Sequence, residues 1–222
     1  LESVNQLPDF ILNRLRNKQN FNGSRYELFV FATLIRAGFT LEHSDEKSGK
    51  NGRVTECLAI HTETNQKVYI EAKTRNVKNV LGSTQGKSKK IRLYDKLKDA
   101  MQKNVDGAYL IFVDVNHPNM KAEKSHREFE KLRSEYRKLE KSHKNSMPNL
   151  VCFTNIPFHY GANDTSPSNN MIGFMIPRYP RYKMLNKVVQ ALDSSLNKYD
   201  YLPKKFQEGC EHADRIIDNA KA

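Results

Sequence analysis

Residues 53–74 read RVTECLAIHTETNQKVYIEAKT, and the rest of the fold hangs on how this stretch is read. Two runs, 53–60 and 67–74, carry Val, Ile, Tyr and Thr between polar residues, and a polar turn over 61–66 separates them. That pattern predicts a β-hairpin. Side chains alternate faces along a strand, so Glu71 and Lys73 share one face and Ala72 takes the other. Closing the hairpin sets Glu56 beside Glu71. Adjacent carboxylates repel unless a cation neutralises them. Their oxygens select hard cations, Mg²⁺ or Mn²⁺. Such an ion lowers the pKa of a bound water and stabilises charge on a phosphoryl oxygen. A lysine alongside can hold the attacking water and the scissile phosphate. These residue types together are the equipment of metal-dependent phosphodiester hydrolysis.

Working outward, residues 8–18 predict a short helix with Phe10, Ile11, Leu12 and Leu15 inward. Residues 24–37 predict a stronger one, with Leu28, Phe31, Ala32 and Ile35 at helical spacing and Gly38 closing its last turn. Glu27 lies on this helix, one turn from its start. Downstream come a Gly/Ser/Lys loop over 76–88, a helix over 89–104 and an apolar strand over 108–115 (AYLIFVDV), with no polar alternation. A charged helix over 120–143 carries Phe129, Leu132, Tyr136 and Leu139 as a narrow heptad seam. The seam is too short for an independent coiled coil and is expected to lie on the domain, with a homodimer contact as the alternative. Two more apolar strands, 150–158 and 171–176, flank a polar loop over 161–170. Two amphipathic helices follow, one with Leu185, Val188, Val189, Leu192 and Leu196, the other with Phe206, Cys210, Ala213 and Ile217. The expectation is a single α/β domain over 1–222, its central mixed sheet flanked by helices.

At Glu27 (YELF), Glu56 (VTECL) and Glu71-Ala72-Lys73 (VYIEAK), followed by helix and apolar strand, the chain resembles the PD-(D/E)XK nuclease superfamily, the restriction-endonuclease-like fold. The resemblance covers about residues 20–115. The remainder is read as a helical insertion at about 120–143 and C-terminal strands and helices at 149–219. It implies that Glu56, Glu71 and the backbone carbonyl of Ala72 ligate Mg²⁺ or Mn²⁺, that Lys73 is the catalytic lysine, and that Glu27 binds the metal directly or through water. It implies a DNA nuclease, an endonuclease by expectation, with RNA not excluded as substrate. The family's first strand acid is usually Asp, often after Pro; here Thr55-Glu56 stands there. That departure motivates an alternative, a nucleic-acid-binding module on the same fold with a weak or lost metal site.

Each residue also has a plainer reading. Ser24-Arg-Tyr-Glu27 fits an S-x-x-E capping box, in which Glu27 only returns a hydrogen bond to the helix start. Glu71 and Lys73 can be an ordinary ion pair, since such triplets are common in charged proteins, and Glu56 in an apolar run wants a partner such as Lys73 or Arg53. The segment from Gly82 to Ser88 looks like a P-loop but has three residues between its glycines where that motif has four. The seven histidines show no zinc-binding spacing, and no serine-nucleophile signature appears.

Thirty-seven Lys and Arg against 25 Asp and Glu leave a net charge of +12, the electrostatic footprint of a nucleic-acid partner. The densest cluster, KSKKIRLYDKLK, nominates Lys87, Lys89, Lys90, Arg92, Lys96 and Lys98 as phosphate contacts. No apolar run reaches the ~18 residues a membrane span needs, and no signal peptide is recognised. Three widely spaced cysteines, Cys57, Cys152 and Cys210, argue against a disulfide framework and for a reducing compartment, so a cytoplasmic protein is expected. The chain starts at Leu1, which leaves room for a longer chain or complex around it.

Overall fold

The computed structural model describes residues 8–17, 19–43, 55–75, 94–103, 105–115, 122–143, 147–155, 171–178, 180 and 182–198. Among them are helices α1 (Asp9–Arg16), α2 (Phe21–Arg36), α3 (Tyr94–Met101), α4 (Ala122–Ser142) and α5 (Asn186–Lys198). The strands are β1 (Phe39–His43), β2 (Cys57–His61), β3 (Lys67–Thr74), β4 (Ala108–Asp114), β5 (Leu150–Asn155) and β6 (Met171–Met175). They form one mixed sheet in chain order, β1-β2-β3-β4-β5-β6. The hairpins β1–β2 and β2–β3 and the pair β5–β6 are antiparallel, whereas β3, β4 and β5 run parallel. This is the α/β class expected, a central mixed sheet flanked by helices.

The apolar run at 108–115 becomes the middle of the sheet. Every residue of β4 is buried, and so is every residue of β5, as both faces of a parallel sheet must be under covering helices. One face carries Val68, Ile70, Leu110, Phe112 and Cys152 beneath α1, α2 and α5. The other carries Tyr69, Ile111, Val113, Val151 and Phe153 beneath α3 and α4. The alternation of the strands thus feeds two apolar layers, and α5 is pinned to α2 by the Ser195 hydroxyl donating to the Thr33 carbonyl (2.9 Å).

The seam of α4 lies on its own sheet. Leu132, Tyr136 and Leu139 are buried, and Phe129 packs beside them, so this stripe is already covered and not offered to a second copy. Phe129 sits so close to β6 that a Cβ at Gly173 would overlap its ring.

Several expectations need correction. Helix α2 begins at Phe21, three residues before the Ser24 proposed as its cap, and Ser24 is wholly buried within it. The capping-box role of Glu27 therefore falls away. Gly38 does follow the helix in the left-handed region (φ +85°). The short strand β1 is not signalled by the sequence pattern, and β2 starts at Cys57 rather than 53. Leu12 and Leu185, expected inward, are exposed. The second C-terminal helix, the 161–170 loop and the P-loop-like segment lie outside the described residues.

Candidate functional site

The hairpin turn is closed by the His61 amide donating to the Gln66 carbonyl (3.0 Å) and the Asn65 amide to the His61 carbonyl (2.8 Å), with Asn65 in the left-handed region. That closure sets how β2 and β3 lie together. Beyond the start of β2, the Glu56 amide donates to the Ile70 carbonyl (2.9 Å), which fastens Glu56 to β3 one residue before Glu71.

Glu71 has no exposed surface, although its strand-mate Lys73 is partly open to solvent. A buried carboxylate needs a paired cation, and Glu71 has two. Lys73 binds Oε1. Lys103, in the turn after α3, reaches Oε2 at 2.6 Å. The Lys73 ammonium also lies 3.9 Å from Glu56 Oε1, so one ammonium bonds Glu71 and stands within ion-pair range of Glu56. Ala72 points its methyl into the opposite layer, under α2.

Glu27 enters from α2, nearly buried, and takes a 2.7 Å hydrogen bond from Arg14 Nη2 of α1. Its charge is felt at Glu56. Burial, then Glu27, then Glu71 push the Glu56 carboxyl up to about 8, against the opposing pull of Lys73 and Lys103. Burial alone would lower the Lys73 ammonium, but Glu71, Glu56 and Glu27 outweigh it and hold the group above its ordinary value. The four residues named from the sequence, Glu27, Glu56, Glu71 and Lys73, are thus electrostatically joined.

The cationic cluster divides. Lys87, Lys89, Lys90 and Arg92 lie outside the described residues. Lys98 is exposed on α3, but Lys96 is half-buried. Burial and then the nearby Lys73 charge lower the Lys96 ammonium. Lys96 is thus less open to solvent than Lys98 and lies near enough to Lys73 to feel its charge.

Three further residues shape the site without having been singled out. Lys103 stands in a stretch of ordinary charged sequence, and only the return of α3 onto β3 brings it to Glu71. Tyr109 on β4 donates its hydroxyl to the Ala100 carbonyl at 2.8 Å. Burial, then Glu71 and Glu56, raise its phenol, so it stays neutral. Asp114, fully buried at the end of β4, accepts from the Thr74 hydroxyl at 3.3 Å. Beside it the Tyr26 and Thr154 hydroxyls are 2.8 Å apart. These bonds tie the carboxyl ends of β3, β4 and β5 to the first turns of α2, and so fix the helix that delivers Glu27.

The donors are of the type a hard cation takes: Glu71 on β3, Glu56 just before β2 and Glu27 on α2, with the Glu56 carboxyl raised first by burial and then by the other two charges. Lys73 and Lys103 supply the charge that compensates Glu71. No three Asp, Glu, His or Cys side chains among the described residues are already drawn onto one point, so a cation would have to draw in carboxylates now held by Lys73 and Lys103.

Comparison of the chain with protein-family models, with curated proteins and with solved structures finds no match. Among the described residues, no helix is long and apolar enough to cross a membrane.

Proposed function

We propose that this protein is a Mg²⁺- or Mn²⁺-dependent nuclease of the PD-(D/E)XK type that hydrolyses DNA phosphodiester bonds, with Glu56, Glu71, the Ala72 carbonyl and Glu27 as the metal-facing donors. The observation that carries the reading is the fully buried Glu71 sharing the Lys73 ammonium with Glu56, an arrangement with high desolvation cost and little structural return unless the carboxylates serve chemistry. A bound cation would polarise the phosphoryl oxygen and lower the pKa of a water. The chain's own residues do the rest. Lys73 lies at the solvent-accessible side of the cluster and orients the attacking water while offsetting charge on the phosphate. Glu56, with its proton held near neutrality, is poised to take a proton once ionised. Lys96 and Lys98 on α3, with the basic segment before them, supply the phosphate contacts. A cytoplasmic setting fits the free, buried thiols of Cys57 and Cys152.

A second reading has its own observation. Lys73 and Lys103 already occupy both oxygens of Glu71, which is how a nucleic-acid-binding module on this fold would neutralise a retired metal site. Incubating supercoiled plasmid with the purified protein separates the two. The nuclease nicks or linearises it in Mg²⁺ or Mn²⁺ and not in EDTA. A binding module retards the plasmid on a gel and leaves it intact under all three conditions.

A further inference from the structure

Between the end of α3 and the starts of β4 and β5 lies a cavity of about 250 Å³. The acid cluster does not use it, yet the two share Lys103, which lines the cavity and reaches Glu71 Oε2 at 2.6 Å. Its size exceeds the roughly 150 Å³ that admits a benzene ring, which leaves room for a bicyclic one.

The lining has two characters. Tyr109, Tyr182 and Met147 offer aromatic and polarisable surface. Both tyrosine hydroxyls are engaged, Tyr109 on the Ala100 carbonyl at 2.8 Å and Tyr182 on Asp106 Oδ1 at 2.9 Å, so both rings are fixed by their edges. Lys98, Lys103 and His143 add basic groups, and among the described residues no Asp or Glu lines the cavity. Flat apolar surface beside basic groups selects a planar ring that carries an anionic group. A purely apolar ligand would make no use of the basic groups, and free phosphate would leave the aromatic surface unused.

We propose that this cavity binds one nucleotide unit of a nucleic-acid strand, its base against Tyr109, Tyr182 and Met147 and its phosphate at Lys98 and His143. The choice of a strand rather than a free metabolite rests on the hydrolytic reading of the neighbouring acid cluster. Lys103 then links an occupied cavity to the reacting centre, and the pocket sets which nucleotide beside the scissile bond is preferred.

The test is calorimetric titration of the full chain in EDTA with deoxyadenosine monophosphate, inorganic phosphate and adenosine as separate probes. The nucleotide is expected to bind at least about tenfold tighter than either part alone, and Lys98→Glu and Tyr182→Ala are each expected to weaken it by about tenfold or more. Lys98 is exposed, so its variant reports on binding with the fold intact. A nucleotide that binds no tighter than phosphate, or equally well to both variants, overturns the proposal. EDTA keeps the result separate from catalysis. Nucleotide binding by a protein that cleaves no DNA sinks only the hydrolytic reading, and cleavage without nucleotide binding sinks only the cavity.

Discussion

At the residue scale, the arithmetic of charge around Glu71 sets what each substitution does. Removing Lys73 leaves Glu71 still paired with Lys103 at 2.6 Å, so Lys73→Ala is expected to fold with little loss. Removing Lys73 and Lys103 together strands a fully buried carboxylate, at an expected cost of ~3–5 kcal/mol. Thermal and urea denaturation of the two single variants and the double variant check this, and a double variant as stable as wild type contradicts it. Glu56 adds a pH dependence. Burial and the neighbouring acids hold its carboxyl up to about 8 in the folded protein, against an ordinary 4.5. Between those values the folded state binds more protons than the unfolded one, so stability falls as pH rises, by up to ~1.4 kcal/mol per unit. Below the lower value and above the upper one, Glu56 adds no slope. Comparing wild type with Glu56→Gln by urea denaturation across this window should show the slope reduced in the variant. The residue types of this cluster were legible in the sequence because strand alternation alone places Glu71 with Lys73. Lys103 was not legible, since its part depends on how α3 returns to β3, which no local pattern encodes.

At the element scale, continuous apolar runs were read well and ends were read badly. Strands β4 and β5 announce themselves by composition, because a strand buried on both faces has no polar alternation to confuse it. Strand β1 is a five-residue edge element with too little pattern to distinguish it from a loop. The start of α2 was misplaced because Ser24 and Glu27 imitate a capping box; in the fold both are buried, and Glu27 meets Arg14 of α1 instead. Packing between α4 and β6 depends on a missing side chain. A methyl at Gly173 would run into the Phe129 ring, so Gly173→Ala is expected to destabilise by ~1–3 kcal/mol through overpacking. Combining it with Phe129→Leu should recover part of that loss, a coupling read directly from a double-mutant cycle. Strictly additive effects would place Phe129 elsewhere.

At the scale of the whole molecule, the fold brings the hairpin acids and the helix acid near Lys96 of α3, while the net charge of +12 supplies long-range attraction for a polyanion. Binding to duplex DNA should therefore weaken with salt, with a log–log slope of roughly −0.9 per neutralised phosphate. Lys98→Glu should make that slope shallower on unrelated sequences alike, measured by fluorescence anisotropy from low to moderate salt. Affinity that is insensitive to salt would contradict the charge argument. The central claim is that the cluster of Glu27, Glu56, Glu71 and Lys73 hydrolyses phosphodiesters, and the most direct measurement is the initial rate of plasmid cleavage by Lys73→Ala in Mn²⁺, taken beside its melting temperature. The account expects a rate ~10²–10³ below wild type, the cost of losing one preorganised donor, at a nearly unchanged melting temperature. A wild type without cleavage in Mg²⁺ or Mn²⁺, together with a sharp fall in the melting temperature of Lys73→Ala, would instead make Lys73 the counter-ion of a buried acid and nothing more.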